Sequence, residues 1–468
     1  MKTANNSRQN KLAATIAAMT ATERRSLGQF IESPFFNRRA DVLRLYQWLL
    51  KEQPLEPKEP VFAFIYRGEP FNGQKLRLVM SYLQQLAEQF LAYREWQDSP
   101  GAIEIHRVKA LRRRGLQAPF REALKTARNT LERQPLRNSD YFLQQEQMLW
   151  EEARFESLRH PMEVRYLEQL SEQADRVWVI QKLRYFCLNR TQRTMYKTEH
   201  ALPLRPDTEA IIERCALLQV PAIATWYYCL KMLEEPEAQA FFTRFKQCFL
   251  ESGQLFDPEE TRDLYLFALN YCIRRVNDGQ RQFFHDIMDL YKDGLEKGYL
   301  FDKGVLSRYT YHNIVAAGLQ TEEFEWVEDF IGRYRNALER TYRDSSYSFN
   351  RARLEFSRKR YDAALALLQH SNYYDPLLSL AAKTMALKIY YELGEYDLLH
   401  AHLEALKNYI RRKPMLGYHR DNYLKLVRYT QKLITVNPFN KADVRSLKQK
   451  IADEPVLTER EWLLDQLP

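Results

Sequence analysis

Apolar residues recur at steps of three and four along most of the chain, which is the spacing of one face of an α-helix. The clearest such segment is 73–96, whose apolar positions are Leu76, Val79, Met80, Leu83, Ala87, Phe90 and Leu91. No segment shows the sustained alternation of apolar and polar residues between hairpin turns that marks a half-buried strand. No heptad repeat is sustained either, which argues against a long coiled coil. The pattern predicts an all-α protein with essentially no sheet.

Glycine and proline divide this helical pattern into parts. Asp-Ser-Pro-Gly at 98–101 ends the first part. From there the chain repeats one order of helix, tight break and helix. The first of these helices should stop at Gly115, because glycine suits the left-handed backbone that ends many helices, and its partner should open near Pro119. We expect three parts: an N-terminal helical unit at 1–100, an irregular array of helix hairpins at 102–300, and more regular repeats with a C-terminal capping helix at 301–468.

Two nine-residue segments near the C-terminus, 360–368 and 395–403, superpose with an offset of 35 residues. Each contains Tyr-Asp followed by mostly apolar residues. Tyr361 and Tyr396 are therefore predicted to occupy equivalent buried positions, at the start of the second helix in successive hairpins.

The residues around these segments resemble the tetratricopeptide repeat (TPR), whose unit is about 34 residues long. The matching residues are Ala352, Tyr361, Ala364 and Pro376 in one unit and Tyr390, Gly394 and Tyr396 in the next. Leu387 and Leu399 depart from the motif, which has small residues at those positions. The resemblance covers about 305–412 and extends loosely over 102–300. It implies a TPR-like α-solenoid, a superhelical array of antiparallel helix hairpins. Segments 73–96 and 459–467 also resemble uncharacterised bacterial helical proteins, which implies no activity.

Composition and motifs argue against the common enzyme folds. Glycine accounts for only 14 of 468 residues, whereas nucleotide-binding and barrel enzymes use glycine in phosphate turns and βα loops. The sequence has no GxGxxG, GxxxxGKS/T, GxSxG or HExxH motif. The nine histidines are scattered, and the five cysteines form no CxxC pair. We expect a protein that is not an enzyme, with no catalytic, cofactor-binding or metal site and no evident small-molecule substrate.

Two features bear on location. No apolar run approaches about 18 residues, so no membrane association is expected. The N-terminal apolar run at 12–19 is short and interrupted by threonine, unlike a signal peptide. Cysteines placed in helical segments suit reduced core positions. We therefore expect a cytoplasmic protein.

The chain has a net charge of +9, and its charged residues are distributed unevenly along the sequence. Residues 1–150 carry 24 basic and 15 acidic side chains, whereas 151–350 carry 26 and 32. The basic excess is concentrated at 105–137, where the candidate nucleic-acid or anion-binding residues are Arg107, Arg112, Arg113, Arg121, Lys125 and Arg128. Three of them follow an i, i+4, i+7 stripe along one helix, which could lie against a phosphate backbone. The alternative is a solvated face, or a surface that docks the acidic middle of the same or another chain.

Two functions remain open from the sequence. The first is a non-enzymatic interaction scaffold that holds a protein segment, from a partner of unknown identity, in the concave surface of the helical array. The alternative is an RNA- or DNA-binding protein that uses the basic face at 105–137. Fold class alone does not decide between them.

Overall fold

The computed structural model describes residues 11–51, 55–99, 101–158, 161–196, 205–369, 373, 375–412 and 419–468. It is 78% helical. The strands among the described residues are Phe301–Asp302 (β1) and Val305–Leu306 (β2), an antiparallel pair of two residues each. The prediction of an all-α protein is confirmed. None of the described helices has both the length and the apolar character that crossing a membrane requires.

The chain divides into two compact units, Met1–Phe186 with Ala201–Ile223 and Cys187–His200 with Ala224–Pro468. The first unit contains α1 (Lys11–Ala17), α2 (Ala21–Glu32), α3 (Ala40–Leu50), α4 (Lys58–Ile65), α5 (Gly73–Asp98), α6 (Ala102–Arg113), α7 (Gln117–Arg133), α8 (Ser139–Glu156) and α10 (Arg205–Arg214). Both units take residues from α9 (Val164–Tyr196) and α11 (Pro221–Glu234).

The second unit contains the remaining helices. They are α12 (Gln239–Ser252), α13 (Pro258–Asn277), α14 (Phe283–Glu296), α15 (Arg308–Gln320), α16 (Phe324–Arg333), α17 (Arg343–Ser357), α18 (Tyr361–Gln369), α19 (Pro376–Glu392), α20 (Tyr396–Arg412), α21 (His419–Thr435), α22 (Lys441–Ala452) and α23 (Arg460–Asp465).

The core of the first five helices forms around α5. The predicted apolar face is buried at Leu76, Val79, Leu83, Ala87 and Phe90. Leu91 belongs to the same apolar pattern but is exposed. Pro60 lies in the first turn of α4, where the missing N–H has no helical partner to lose.

Within the part of the chain that the structure describes, five helix pairs are joined by the same backbone turn. Each turn has one residue with φ between 58° and 90°, and these residues are Gly115, Gly279, Glu322, Lys359 and Gly394. The next N–H donates to the carbonyl oxygen five residues earlier, at 2.8–3.2 Å. This is the Schellman arrangement, which satisfies carbonyls at a helix end. The prediction for Gly115 is confirmed. The pairs so joined are α6/α7, α13/α14, α15/α16, α17/α18 and α19/α20, and the two helices of each pair contact each other.

The 35-residue offset is retained in the core of the last two of these pairs. In these hairpins, four pairs of buried residues that are both apolar are separated by 35 positions, namely Ala352 and Leu387, Leu354 and Ile389, Ala364 and Leu399, and Leu368 and Leu403. Equivalent positions in the hairpins α17/α18 and α19/α20 are therefore buried in the core. The C-terminal residues Trp462, Leu463 and Leu467 are buried in a core shared with α19–α22.

For Tyr361 and Tyr396 the predicted position is correct, but the predicted burial is not correct for both. Tyr361 and Tyr396 are the first residues of α18 and α20, as the offset requires. Tyr361 is half-buried against Phe356, with ring centroids 5.6 Å apart. Tyr396 is 49% exposed, so its predicted burial is wrong. Its ring lies at the turn and meets the ring of Tyr391 edge-on, with centroids 6.4 Å apart. The buried face of α20 starts three residues later at Leu399.

Candidate functional site

The six predicted nucleic-acid-binding residues lie in different environments. They are Arg107, Arg112 and Arg113 of α6 and Arg121, Lys125 and Arg128 of α7. All are exposed except Arg112. Nε of Arg112 donates to Glu151 of α8 at 2.5 Å, and the two side chains are 9% and 6% exposed. Because this guanidinium is enclosed and neutralised, it is unavailable to a phosphate group.

The stripe on α7 lies beside acidic residues of α8. A cavity of about 360 Å³ between these helices is lined by Arg121, Lys125, Arg128, Glu132, Glu152 and Glu156, among others. Arg128 forms an ion pair with Glu152. Glu151 and Glu152 open the acidic segment 151–350, so the alternative of pairing within the chain applies to Arg112 and Arg128. Binding of nucleic acid by the other four residues stays a prediction.

A second cavity, of about 490 Å³, lies in the second unit between α15, α17, α19 and α21. The first three are the opening helices of successive hairpins, and α17 contacts both α15 and α19. We call this cavity the inner groove. The residues that matter for its chemistry are Phe349, Arg353, Phe356, Thr384, Met385, Lys388 and Glu459.

Arg353 gives the inner groove a cation without a counterion. Burial lowers the pKa of its guanidinium to about 10, so the group remains charged at neutral pH. Nη1 donates to the carbonyl oxygen of His312 at 3.1 Å. No carboxylate forms an ion pair with Arg353 within the described residues, and Glu459 acts on it only through space. A buried guanidinium without a paired carboxylate favours the binding of an anion. Hydrogen bonds from the guanidinium to a bound carboxylate would offset the hydration that the guanidinium has lost through burial.

Lys388 also lines the inner groove, but its charge is already balanced. Its Nζ donates to Glu459 at 2.8 Å. The ammonium lies over the rings of Phe356 at 5.3 Å and Trp462 at 5.6 Å, which adds cation–π stabilisation. One helical turn before Lys388, Thr384 Oγ1 is buried and has no hydrogen-bond partner among the described residues. Among the described residues, the inner groove thus contains a cation without a paired carboxylate, Arg353, and a hydroxyl group without a hydrogen-bond partner, Thr384.

A polar seam between α15 and α17 holds the backbone that Arg353 binds. Asn350 Nδ2 donates to His312 Nδ1 at 2.7 Å and to the carbonyl oxygen of Ser346 at 2.9 Å. Burial lowers the pKa of His312 to about 4, so the imidazole is neutral at pH 7 and its Nδ1 can accept this hydrogen bond. The seam fixes His312, and through its carbonyl oxygen it positions Arg353.

Sequence reasoning missed the inner groove, although the signal was present. Arg353 and Lys388 are 35 positions apart, so they occupy equivalent positions in two repeats. The basic residues Arg353 and Lys388 show the same 35-residue offset as the apolar residues. This offset predicts that the two cations lie on the same face of the adjacent helices α17 and α19. The offset, and not the density of charge, is the signal that marks this face.

Other chemistry is sparse in the part of the chain that the structure describes. No group of three or more His, Cys, Asp or Glu side chains there could hold a metal ion. The five cysteines are free thiols. The chain matches no protein-family model, no curated protein and no solved structure. The assignment of function therefore rests on the geometry of the two units.

Proposed function

We propose that the protein is a non-enzymatic interaction scaffold that holds an acidic protein segment in the inner groove. The observation that carries the proposal is Arg353, a desolvated cation with no carboxylate paired to it among the described residues. A carboxylate from a bound segment would supply the counterion and accept charge-assisted hydrogen bonds from the guanidinium.

The other groove residues narrow the kind of segment. Phe349, Phe356 and Met385 provide apolar surface, and the Thr384 hydroxyl can bond a backbone amide or carbonyl group. Because Glu459 already balances Lys388, the groove has one positive charge in excess rather than two. We infer that it prefers a single Asp or Glu between apolar side chains over a long acidic run. A volume of about 490 Å³ has room for a few side chains of an extended peptide.

The proposed architecture is a TPR-like array in which opening helices line the groove. Three observations support it: buried residue pairs at an offset of 35, a shared turn at five hairpins, and contacts of α17 with both α15 and α19. Peptide recognition by such arrays uses surface made by several repeats at once. We also propose a cytoplasmic location, supported by the buried thiols of Cys187, Cys229 and Cys272.

Peptide display on the full chain tests the proposal. A library of random peptides of about 12 residues would be selected on the wild-type protein, on Arg353→Met and on Arg333→Met. Arg333 is an exposed arginine of α16 that pairs with Asp329, so it is a matched control. We expect the wild type and the Arg333→Met control to enrich the same peptides, which carry one acidic residue between apolar ones.

The Arg353→Met variant should lose this enrichment, because it removes the charge and the N–H donors of the guanidinium while keeping an unbranched apolar side chain in the inner groove. Selection of peptides without acidic residues, or equal enrichment by Arg353→Met, would contradict the proposal.

A further inference from the structure

A row of aromatic rings crosses the surface of the first unit, from the loop after α2 to α6. Its members are Phe35, Phe36, Tyr93, Trp96 and His106. Successive ring centroids lie 4.9–6.3 Å apart, and successive planes are inclined at 42–86°. Within this row the rings meet at an angle instead of stacking on one another. We call these five residues the aromatic row.

The aromatic row is held in place and open to solvent. Phe35 is 86% exposed, and Phe36, Tyr93 and His106 are also exposed. Phe36 stacks on the buried Phe30, with centroids 3.9 Å apart and planes 19° apart. Several exposed aromatic side chains next to one another indicate an interaction site, because exposure of apolar surface to water is unfavourable. The support from Phe30 also reduces the entropy that Phe36 would lose on binding.

The aromatic row continues into basic side chains on α6. His106, Lys109 and Arg113 follow an i, i+3, i+7 pattern, which places them along one side of the helix. From 105 to 121 the chain has six basic residues and no acidic residue. Arg107, Lys109 and Arg113 form no ion pair within the described residues. The last turns of α5 carry Glu95 and Asp98, and Asp98 pairs with Arg94 at 3.2 Å.

We propose that the aromatic row and the adjoining cations of α6 bind single-stranded nucleic acid. Bases of a single strand would stack on the exposed rings, and phosphates would pair with Lys109 and Arg113. Stacking on aromatic side chains combined with backbone contacts is how proteins hold single strands without sequence preference. A duplex conceals its base faces, and an acidic protein segment has no regular series of planar groups for the rings. This site is in the first unit and does not depend on the inner groove.

Fluorescence anisotropy of the full chain with a labelled oligothymidylate of about 20 nucleotides tests the proposal. Phe35→Ala should weaken binding about fivefold or more, since one lost base stack is worth about 1–3 kcal/mol. Phe439→Ala is the matched control, because Phe439 is 91% exposed in the second unit, and it should leave binding unchanged. Arg113→Gln should also weaken binding and lower the slope of log affinity against log salt by about 0.7.

Several results would overturn the proposal. One is absence of binding at low salt, and another is the same affinity for Phe35→Ala as for the wild type. Equal binding of a duplex of the same length would also contradict base stacking. Polyglutamate that competes as well as unlabelled oligothymidylate would assign the surface to an acidic protein segment instead.

Discussion

Arg112 of α6 and Glu151 of α8 form an ion pair that is almost entirely enclosed, with Nε 2.5 Å from the carboxylate oxygen. The two residues are 39 positions apart in the sequence, and their ion pair links α6 to α8. Such a pair holds helices in register, because each charge left alone in the interior would be strongly unfavourable.

Removal of one member of this pair should therefore be more harmful than removal of both. Arg112→Met alone leaves Glu151 as a buried charge, and we expect the free energy of unfolding to fall by about 3–5 kcal/mol. The double variant Arg112→Met with Glu151→Met should recover most of this loss. Denaturant unfolding of the two variants and the wild type checks the expectation. A double variant no more stable than Arg112→Met would contradict a direct interaction between the two charges.

The shared hairpin turn predicts opposite effects for two equivalent residues. Gly394 and Lys359 both have left-handed backbone, with φ of 73° and 60°. Gly394→Ala should destabilise the protein by about 1 kcal/mol, because a Cβ is strained in this conformation. No neighbouring atom would touch that Cβ, so the effect reports the backbone alone. Lys359→Gly should stabilise by a similar amount, as thermal unfolding would show. The same sign for both variants would exclude the shared turn.

Two helical glycines on neighbouring helices provide a test of packing. A Cβ at Gly318 of α15 would lie 2.4 Å from Cγ2 of Val327 in α16, whereas a Cβ at Gly332 would meet no atom. Gly318→Ala should destabilise by about 1–3 kcal/mol through overpacking. Gly332→Ala should be neutral or stabilise by up to about 1 kcal/mol, because alanine favours helix. Equal effects on the melting temperature would contradict the close approach of α15 and α16.

The buried His312 predicts a loss of stability in mild acid. Its folded-state pKa is about 4, below the ordinary value of 6.5, because burial disfavours the charged imidazole. Arg308 and Arg353 act in the same direction, while Asn350 and Asp375 oppose it. The unfolded chain therefore binds a proton first as the pH falls.

Stability should decrease between pH 6.5 and 4, by at most about 3 kcal/mol from this residue. His312→Gln keeps an acceptor for Asn350 and should make the decrease shallower in urea titrations at several pH values. His402 remains in this variant, and its pKa is also lowered by burial, so a smaller slope should persist. An unchanged slope would show that His312 does not control this range.

The sequence predicted the features that depend on neighbours along the chain. Periodic apolar residues identified α5, glycine identified the end of α6, and the 35-residue offset identified equivalent core positions in α17–α20. Features that depend on distant neighbours were not visible. The pairing of Arg112 with Glu151 and the exposure of Tyr396 both follow from how separate helices pack. The inner groove combines side chains of four helices, so no local pattern contains it.

On the proposed function, Arg353 serves the binding of a peptide and not the stability of the fold. The most direct test of this claim measures peptide affinity and unfolding on the same variant, Arg353→Met, with Arg333→Met as the control. We expect the affinity for an acidic peptide selected by display to fall about tenfold or more, as for loss of a charged hydrogen bond. The free energy of unfolding should rise, because the substitution removes a desolvated charge that has no paired carboxylate among the described residues. A variant that is less stable but binds the peptide as the wild type does would contradict the claim.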